Sequence, residues 1–574
     1  MDKKRCERLA KSLKDHRQDF EPHYAELEKF LSPRRGLFSG NDPANREKSK
    51  RGSKINNAIL NGTPIRAMRI LKSGMQAGVT SQSRPWFKLQ HADPGLRRRP
   101  AVKEYLARLE TEVRLIFAKS GVYNTLHTSW GDLGAYGTEA AIYEEDDLLG
   151  FRPIQLVPGS YWLGATDHRR VDTLYREFMM TVNQMVGKFV FSGNRFLNRP
   201  DWSKVPKQVK ADFDKGDIGK LHKVCHLITP RLGSEREYGR MDGKNKPIAS
   251  MYWAEEDDRT IMMGDRGYDR NPINASRWEV QGYEVYGRSP GMDALPDIRE
   301  IMSKRRDFSE MLRRVNRPPM NAHTDMRNSA FSMMPGAINF MADPSKGLQP
   351  AFQITPQFGE LRQDIEQSKD DVWSGLYADL FMMISSLDRR QITATEIDER
   401  REEKLISLGP VLERSQFEKL EPLVDMGVER AIAMGRVPPA PEELQGQELE
   451  TEFIGPLMQA QRAVATGGIE RLWSFAGNLA AIKPEIMDKL NADKTIDNYG
   501  DMLGVEPELI VADEEANEAR QQRYQMEEQM RAAEMAPQMA GAAKQGVEAA
   551  RLLSEADGGR GPAPLDALMR AGLT

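Results

Sequence analysis

The stretch Ser73 to Leu89, SGMQAGVTSQSRPWFKL, decides how this 574-residue chain is read. It closes a helical pattern that runs from Ile55 to Ala77 and contains Thr63-Pro64, with Gly74 and Gly78 near its end. Arg84, Pro85, Trp86 and Phe87 follow. Proline fixes the backbone φ, and an aromatic pair directly after that bend buries a large area and fixes geometry. Trp86 and Phe87 are therefore expected to anchor packing rather than to bind a ligand.

Working outward, residues 1–31 read as an amphipathic helix stopped at Pro33, and 34–54, rich in Gly, Asn, Lys and Arg, as a mobile loop. A second helical pattern covers Val102 to Lys119. From Thr138 to about Pro290 the hydrophobic period shortens to two, with strands such as Phe151–Val157 and Thr173–Thr181. The turns Asp146-Asp147, Pro158-Gly159 and His168-Arg169-Arg170 separate them. Helices followed by a β-rich region define an α+β class.

Two long amphipathic helices come next. In the first, about Pro296 to Arg317, Ile298, Ile301, Phe308, Leu312 and Val315 form one stripe, ended by Pro318-Pro319. In the second, Leu361, Ile365, Val372, Leu376, Leu380 and Ile384 recur at three-, four- or seven-residue spacing. Residues 297–317 carry seven basic and four acidic residues, whereas 359–384 carry two basic and six acidic. The net charges are opposite. Met333-Met334-Pro335-Gly336, Pro344, Gly347 and Pro350 mark an irregular insert between them. Beyond Thr393 a helix bent by Pro410 and Pro422 leads to the linker Val437-Pro438-Pro439-Ala440-Pro441. Helical sequence resumes over 442–510, and a tail rich in Ala, Glu, Gln and Met follows.

Composition narrows the function. Against 85 acidic residues stand 82 Lys and Arg, a formal charge of -3. That argues against tight non-specific DNA binding, which needs net phosphate neutralisation. Two cysteines, Cys6 and Cys225, exclude a disulfide framework and point to a reducing compartment such as a cytoplasm. No apolar run reaches the roughly 18–20 residues that span a bilayer, so no membrane is expected. The N-terminus has no signal-peptide pattern.

Chemistry-bearing motifs are sparse. His222, Cys225 and His226 would put two histidines on one helical face, as a zinc site could. Val224–Thr229 is β-prone, however, and a strand sends Cys225 to the face opposite both histidines; no fourth ligand follows, and no metal is expected. The tetrads Glu144-Glu145-Asp146-Asp147 and Glu255-Glu256-Asp257-Asp258 could hold the paired metals of a nuclease, yet each follows a strand-like segment where a solvated turn belongs. No GxxxxGK[ST] phosphate loop and no G-x-S-x-G nucleophile elbow occurs. No catalytic residue and no cofactor is expected.

The quoted stretch, with Gly74, Gly78 and Arg84-Pro85-Trp86-Phe87, resembles the head-to-tail connector, or portal, family of podoviruses. Ser32-Pro33-Arg34-Arg35-Gly36 lies upstream as in that family. Trp130, the Gly134-Ala135-Tyr136-Gly137-Thr138 turn, Tyr143-Glu144-Glu145 and Arg176-Glu177-Phe178 follow in its order, and Tyr286-Gly287-Arg288-Ser289-Pro290 precedes the stem. Residues 5–510 follow the pattern and the C-terminal tail does not.

The resemblance implies a wing over 1–294, stem helices over 295–318 and 359–384, a clip over 319–358 and a tunnel loop over 385–395. A wing helix and linker over 396–450 and a helical crown with a flexible tail over 451–574 would complete the chain. It implies a homo-oligomeric ring, normally twelve-fold, that conducts double-stranded DNA without reading its sequence. Its partners would be the terminase large subunit, tail adaptors, and the major capsid and scaffold proteins. Arg389, Arg390 and Gln391 would face DNA from the tunnel loop. Arg305, Arg306 and Arg313 of the basic helix would meet Asp364, Asp370 and Asp371 of the acidic helix across the subunit boundary. Two other classes remain open: a metal-dependent DNA-processing enzyme using the acidic tetrads, and a shell-forming capsid or scaffold component.

Overall fold

The computed structural model describes residues 2–38, 59–191, 200–255, 262–322, 349–350, 358–386, 394–503 and 516–530, a few positions inside these spans excepted. The chain divides into two compact units, Met1–Gln461 and Arg462–Thr574. The longer helices are α1 Lys3–Arg17, α2 Glu21–Phe30, α3 Thr63–Val79, α4 Pro100–Ser120 and α5 Val122–Tyr136, then α6 Leu295–Asn316, α7 Phe358–Gly375, α8 Ala378–Ser386, α9 Ala394–Ser415 and α10 Glu421–Ala433. The last two are α11 Pro456–Ala480 and α12 Ala492–Leu503. Among the described residues all strand pairs are antiparallel. A three-stranded sheet has the order β3 (Gly150–Gln155), β2 (Thr138–Asp146), β9 (Ile273–Arg277). A five-stranded sheet runs β4 (Tyr161–Ala165), β5 (Val171–Thr181), β6 (Leu221–Pro230), β7 (Ile248–Ala254), β8 (Gly264–Tyr268). Helices and antiparallel sheets together make the α+β class.

Helix α3 lies at the centre of the first unit because its glycines let other helices approach. A Cβ on Gly74 would fall 2.2 Å from the Phe381 ring of α8, and one on Gly78 would fall 3.1 Å from Leu457 Cβ of α11. Neither helix could come as close past a larger side chain. The same stripe of α3 buries Ala67, Leu71 and Met75 beside the two glycines, and Leu71 in turn fills the notch at Gly134 of α5.

The Arg84-Pro85-Trp86-Phe87 run is the anchor the sequence promises. Trp86 and Phe87 are fully buried, and the Trp86 ring packs on Phe87, Phe117 and Phe453. Its indole Nε1 donates to Tyr123 Oη at 3.2 Å, and its carbonyl accepts from Ile454 N at 2.9 Å. Phe87 opens strand β1 (Phe87–His91), which pairs antiparallel with β12 (Leu449–Phe453), so the anchor ties residue 87 to residue 453.

Several local expectations are corrected. Residues 1–31 are two helices joined by a tight turn at Gln18–Phe20, not one helix. The Gly134–Thr138 turn is narrower than its sequence indicates: Gly134, Ala135 and Tyr136 still belong to α5, and only Gly137, at φ +72°, makes the left-handed exit. A side chain at Gly137 would strike Gly287 O at 2.4 Å. The second stem helix is broken between Gly375 and Ala378, with Tyr377 at φ +54°. Gly375 rests on Ala294 and the Tyr377 ring contacts Trp278, so tertiary packing turns the chain there despite an unbroken apolar stripe. Of the clip, the described residues show Met320–Asn321 paired with Gln349–Pro350. Most of it, the loop over 39–58 and the tail beyond 530 lie outside the described residues.

The long helix α9–α10, passing through one wide turn at Gln416–Leu420, crosses the three-stranded sheet on two ion pairs. Lys419 and Glu139 of β2 form a salt bridge in which both side chains are fully buried. Beside it, Arg277 of β9 meets Glu418 at 2.6 Å, and Asn274 Nδ2 donates to Lys419 O at 2.8 Å.

Two outcomes are expected in urea unfolding. Trp86→Ala should cost about 3–5 kcal/mol, the range for deleting a large buried aromatic; an unchanged midpoint would contradict the anchor role. Lys419→Met, which leaves Glu139 charged and alone, should also cost about 3–5 kcal/mol, and adding Glu139→Leu should restore most of it.

Candidate functional site

The two long helices expected to form a stem, α6 and α7, lie in antiparallel contact. Ala294 faces Gly375 at one end, Lys304 Nζ reaches Asp364 Oδ1 at 2.7 Å and Ser368 Oγ at 2.9 Å in the middle, and Phe308 meets Phe358 edge-on at the other. At the root, Leu295, Ile298, Ile301, Val372 and Leu376 are buried in the main core. Distally the same stripe emerges. Phe308, Leu312 and Ile365 are only half-buried, while Val315 and Leu361 are exposed. An open cleft of about 500 Å³ lies between the distal halves, bounded by Arg305, Phe308, Arg362, Gln363, Ile365 and Glu366.

The six stem residues singled out by charge do not behave alike. Asp364 pairs with Lys304 of the same chain. Arg305 lies 5.8 Å from the Phe308 ring centre. Arg305, Arg306, Arg313, Asp370 and Asp371 are all exposed, and none takes part in an ion pair among the described residues. Asp371 instead adds to the burial that pushes the Asp297 carboxyl above its ordinary range, with Glu300 contributing. Arg389, Arg390 and Gln391 lie outside the described residues.

The metal-like cluster is resolved by the strand alternation. His222 Nε2 sits 3.0 Å from Asp212 Oδ2. His226 Nδ1 accepts from Arg176 Nε at 3.0 Å, leaving Nε2–H to donate to Ser250 Oγ at 3.0 Å, and its ring stacks on Tyr252. Burial, with Arg176 and Lys188 nearby, holds the His226 pKa well below the ordinary value, so the ring is neutral. Cys225 points to the other face, against Tyr175 Oη. Burial pushes the Cys225 thiol up to about 12 and that of Cys6 up to about 11, which keeps both as unreactive thiols.

The first acidic tetrad closes a turn. Asp146 accepts from Leu148 N and Leu149 N at 2.9 Å each and from Arg152, while Glu145 and Asp147 face Arg430. Carboxylates committed to backbone amides and to arginine are poorly placed to share a metal pair. In the second tetrad Glu255 pairs with Lys223 at 2.7 Å; Glu256, Asp257 and Asp258 lie outside the described residues.

The Ser32–Gly36 motif also acquires a physical role. The Arg35 guanidinium forms a two-pronged ion pair with buried Asp132 at 2.7–3.1 Å and donates to Leu156 O at 2.8 Å. Ser32 Oγ meets Tyr136 Oη at 2.8 Å. The motif thus clamps the end of α2 onto α5. Sequence reading missed these partners, since each lies about a hundred residues away.

Residues 3–511 match the family described as bacteriophage head to tail connecting protein. The chain is 36% identical to a probable portal protein of Bordetella phage BPP-1 over 95% of its length and 94% of the relative's. It is 35% identical to the portal protein of Salmonella phage epsilon15, with 94% of each covered. Among solved structures, the neck of an empty GTA particle computed with C6 symmetry aligns over 79% of this chain and 92% of that one, at 10% identity and a TM-score of 0.37. With relatives matched nearly end to end at this identity, the chain belongs to the bacteriophage head-to-tail connecting family, the portal proteins.

Proposed function

We propose that the chain is one subunit of a portal ring, normally twelve-fold in this family, set at one vertex of the phage head. The ring conducts double-stranded DNA during packaging and ejection, offers the terminase large subunit a docking surface, and receives tail adaptors. The observation that carries the reading is the stem: one apolar stripe is buried at its root and open at its distal end. A lone subunit leaves Val315, Leu361 and half of Phe308 in water. Heterologous contacts that close a ring would cover them.

The wing, stem, clip, tunnel-loop and crown boundaries set out above belong to this proposal, as do the capsid and scaffold contacts. The enzyme reading loses its support, because Glu145, Asp146, Asp147 and Glu255 already have protein partners. The role is structural.

Within the ring, the unpaired Arg305, Arg306 and Arg313 of one subunit face the unpaired Asp370 and Asp371 of the next. Reversing Arg305 and Arg306 to Glu should weaken assembly more at low salt than at high, since added ions shorten the reach of charge. Assembly that is unchanged at every salt concentration, followed by sedimentation velocity, would remove this contact. The tunnel-loop arginines make a separate prediction. Ring symmetry multiplies Arg389 and Arg390 into a belt, so Arg389→Ala with Arg390→Ala should leave rings intact in electron micrographs while altering packaging yield or DNA retention in a salt-sensitive way. Loss of rings would make the loop an assembly element instead.

A further inference from the structure

Two arginines at one hairpin tip stand apart from every element described so far. The β4–β5 turn runs Thr166-Asp167-His168-Arg169-Arg170, and all but its first residue are exposed. It is a rigid turn. Thr166 N donates to Arg170 O at 2.8 Å, Arg169 N donates to Thr166 O at 2.9 Å, and Arg170 N reaches Thr166 Oγ1 at 3.3 Å. Arg169 sits at φ +61°, a left-handed backbone that a side-chain-bearing residue adopts at a cost of about 1–2 kcal/mol.

Each guanidinium lies over an exposed aromatic ring supplied by a different part of the chain. Arg169 is 5.4 Å from the centre of the Tyr283 ring, and Tyr283 is 95% exposed. Arg170 is 4.1 Å from Phe417, which is 52% exposed on the wide turn of the long helix. Beneath them the buried Arg277 donates to Arg169 O at 2.6 Å while paired to Glu418, so the turn, the sheet and the helix are held as one block. Neither Arg169 nor Arg170 meets a carboxylate among the described residues.

We propose that Arg169, Arg170, Tyr283 and Phe417 form a contact surface for a second copy of this chain, the neighbouring subunit in the ring. The inference rests on the ring reading above. Exposed aromatics and stacked arginines are the residue types that dominate protein interfaces. Stacking holds each guanidinium plane in place while leaving its N–H edge free for a two-pronged bond to a carboxylate, so little side-chain freedom is lost on binding. A duplex phosphate would use the arginines but has no use for two exposed rings. Glu413, Glu421 and Asp425 on the same helix also oppose a polyanion. The chain itself supplies acidic partners apart from the aspartates assigned above, since Glu104, Asp214 and Asp217 are exposed and take part in no ion pair among the described residues.

The test compares the full-length protein with Arg169→Gly/Arg170→Ala and with Tyr283→Ser. Glycine suits the left-handed position, so the turn keeps its shape without the guanidinium. The concentration needed for half-assembly, read by sedimentation and electron microscopy, should rise at least about tenfold in both variants, with an unchanged melting temperature. Wild-type rings and equally stable variant rings would overturn the contact and leave the ring reading standing. A variant that assembles normally but loses binding to a labelled DNA duplex would overturn it in favour of a nucleic-acid surface. A wild-type protein that stays monomeric at every concentration would overturn the ring reading and the contact together.

Discussion

The packing of the first unit depends on how closely three helices approach at α3. Gly74 and Gly78 present no side chain, and the vacated space is filled by Phe381 of α8 and Leu457 of α11. A fully packed interior transmits such a constraint, because no neighbour can relax without opening a void. Helix α8 and the start of α11, each hundreds of residues downstream of α3, are thereby fixed to the same short helix. The Trp86 anchor one turn further on repeats the logic by joining β1 to β12.

Polar clamps then set register where apolar packing alone would allow sliding. A buried ion pair contributes little net stability compared with a hydrophobic replacement, but misplacing one partner is costly. Lys419–Glu139 and Arg277–Glu418 therefore determine where along the sheet the long helix docks. Arg35–Asp132 does the same for the N-terminal helices. The body that results is well determined, whereas the apolar stripe of α6 and α7 is only half-buried or exposed at its distal end.

Much of this was legible in the sequence, for identifiable reasons. The glycines and Trp86-Phe87 stood out by chemistry, β6 by the β-prone run Val224–Thr229, and α6 by its apolar stripe. Helix α5 was not legible. Its run of Val122, Tyr123, Thr125, Thr128, Trp130, Gly131 and Gly134 has poor intrinsic helix propensity, and burial on nearly every side makes it helical. The break at Tyr377 was hidden because Val372, Leu376 and Leu380 keep helical spacing across it. Lys419 reads as a solvent-facing charge, and its partner lies 280 residues earlier. The paired Lys304 and Asp364 show the limit of net-charge counting, which cannot tell a bond inside a subunit from one between subunits.

The central claim is that the stem is finished only by assembly, and amide hydrogen exchange on monomer and ring measures it most directly. The account predicts that the root around Ile298–Met302 and Val372–Leu376 exchanges slowly in both states. The distal segments, residues 305–316 and 358–366, should exchange fast in the monomer and become protected in the ring, because their apolar stripe gains cover only there. Equal exchange of the distal segments in monomer and ring would contradict it.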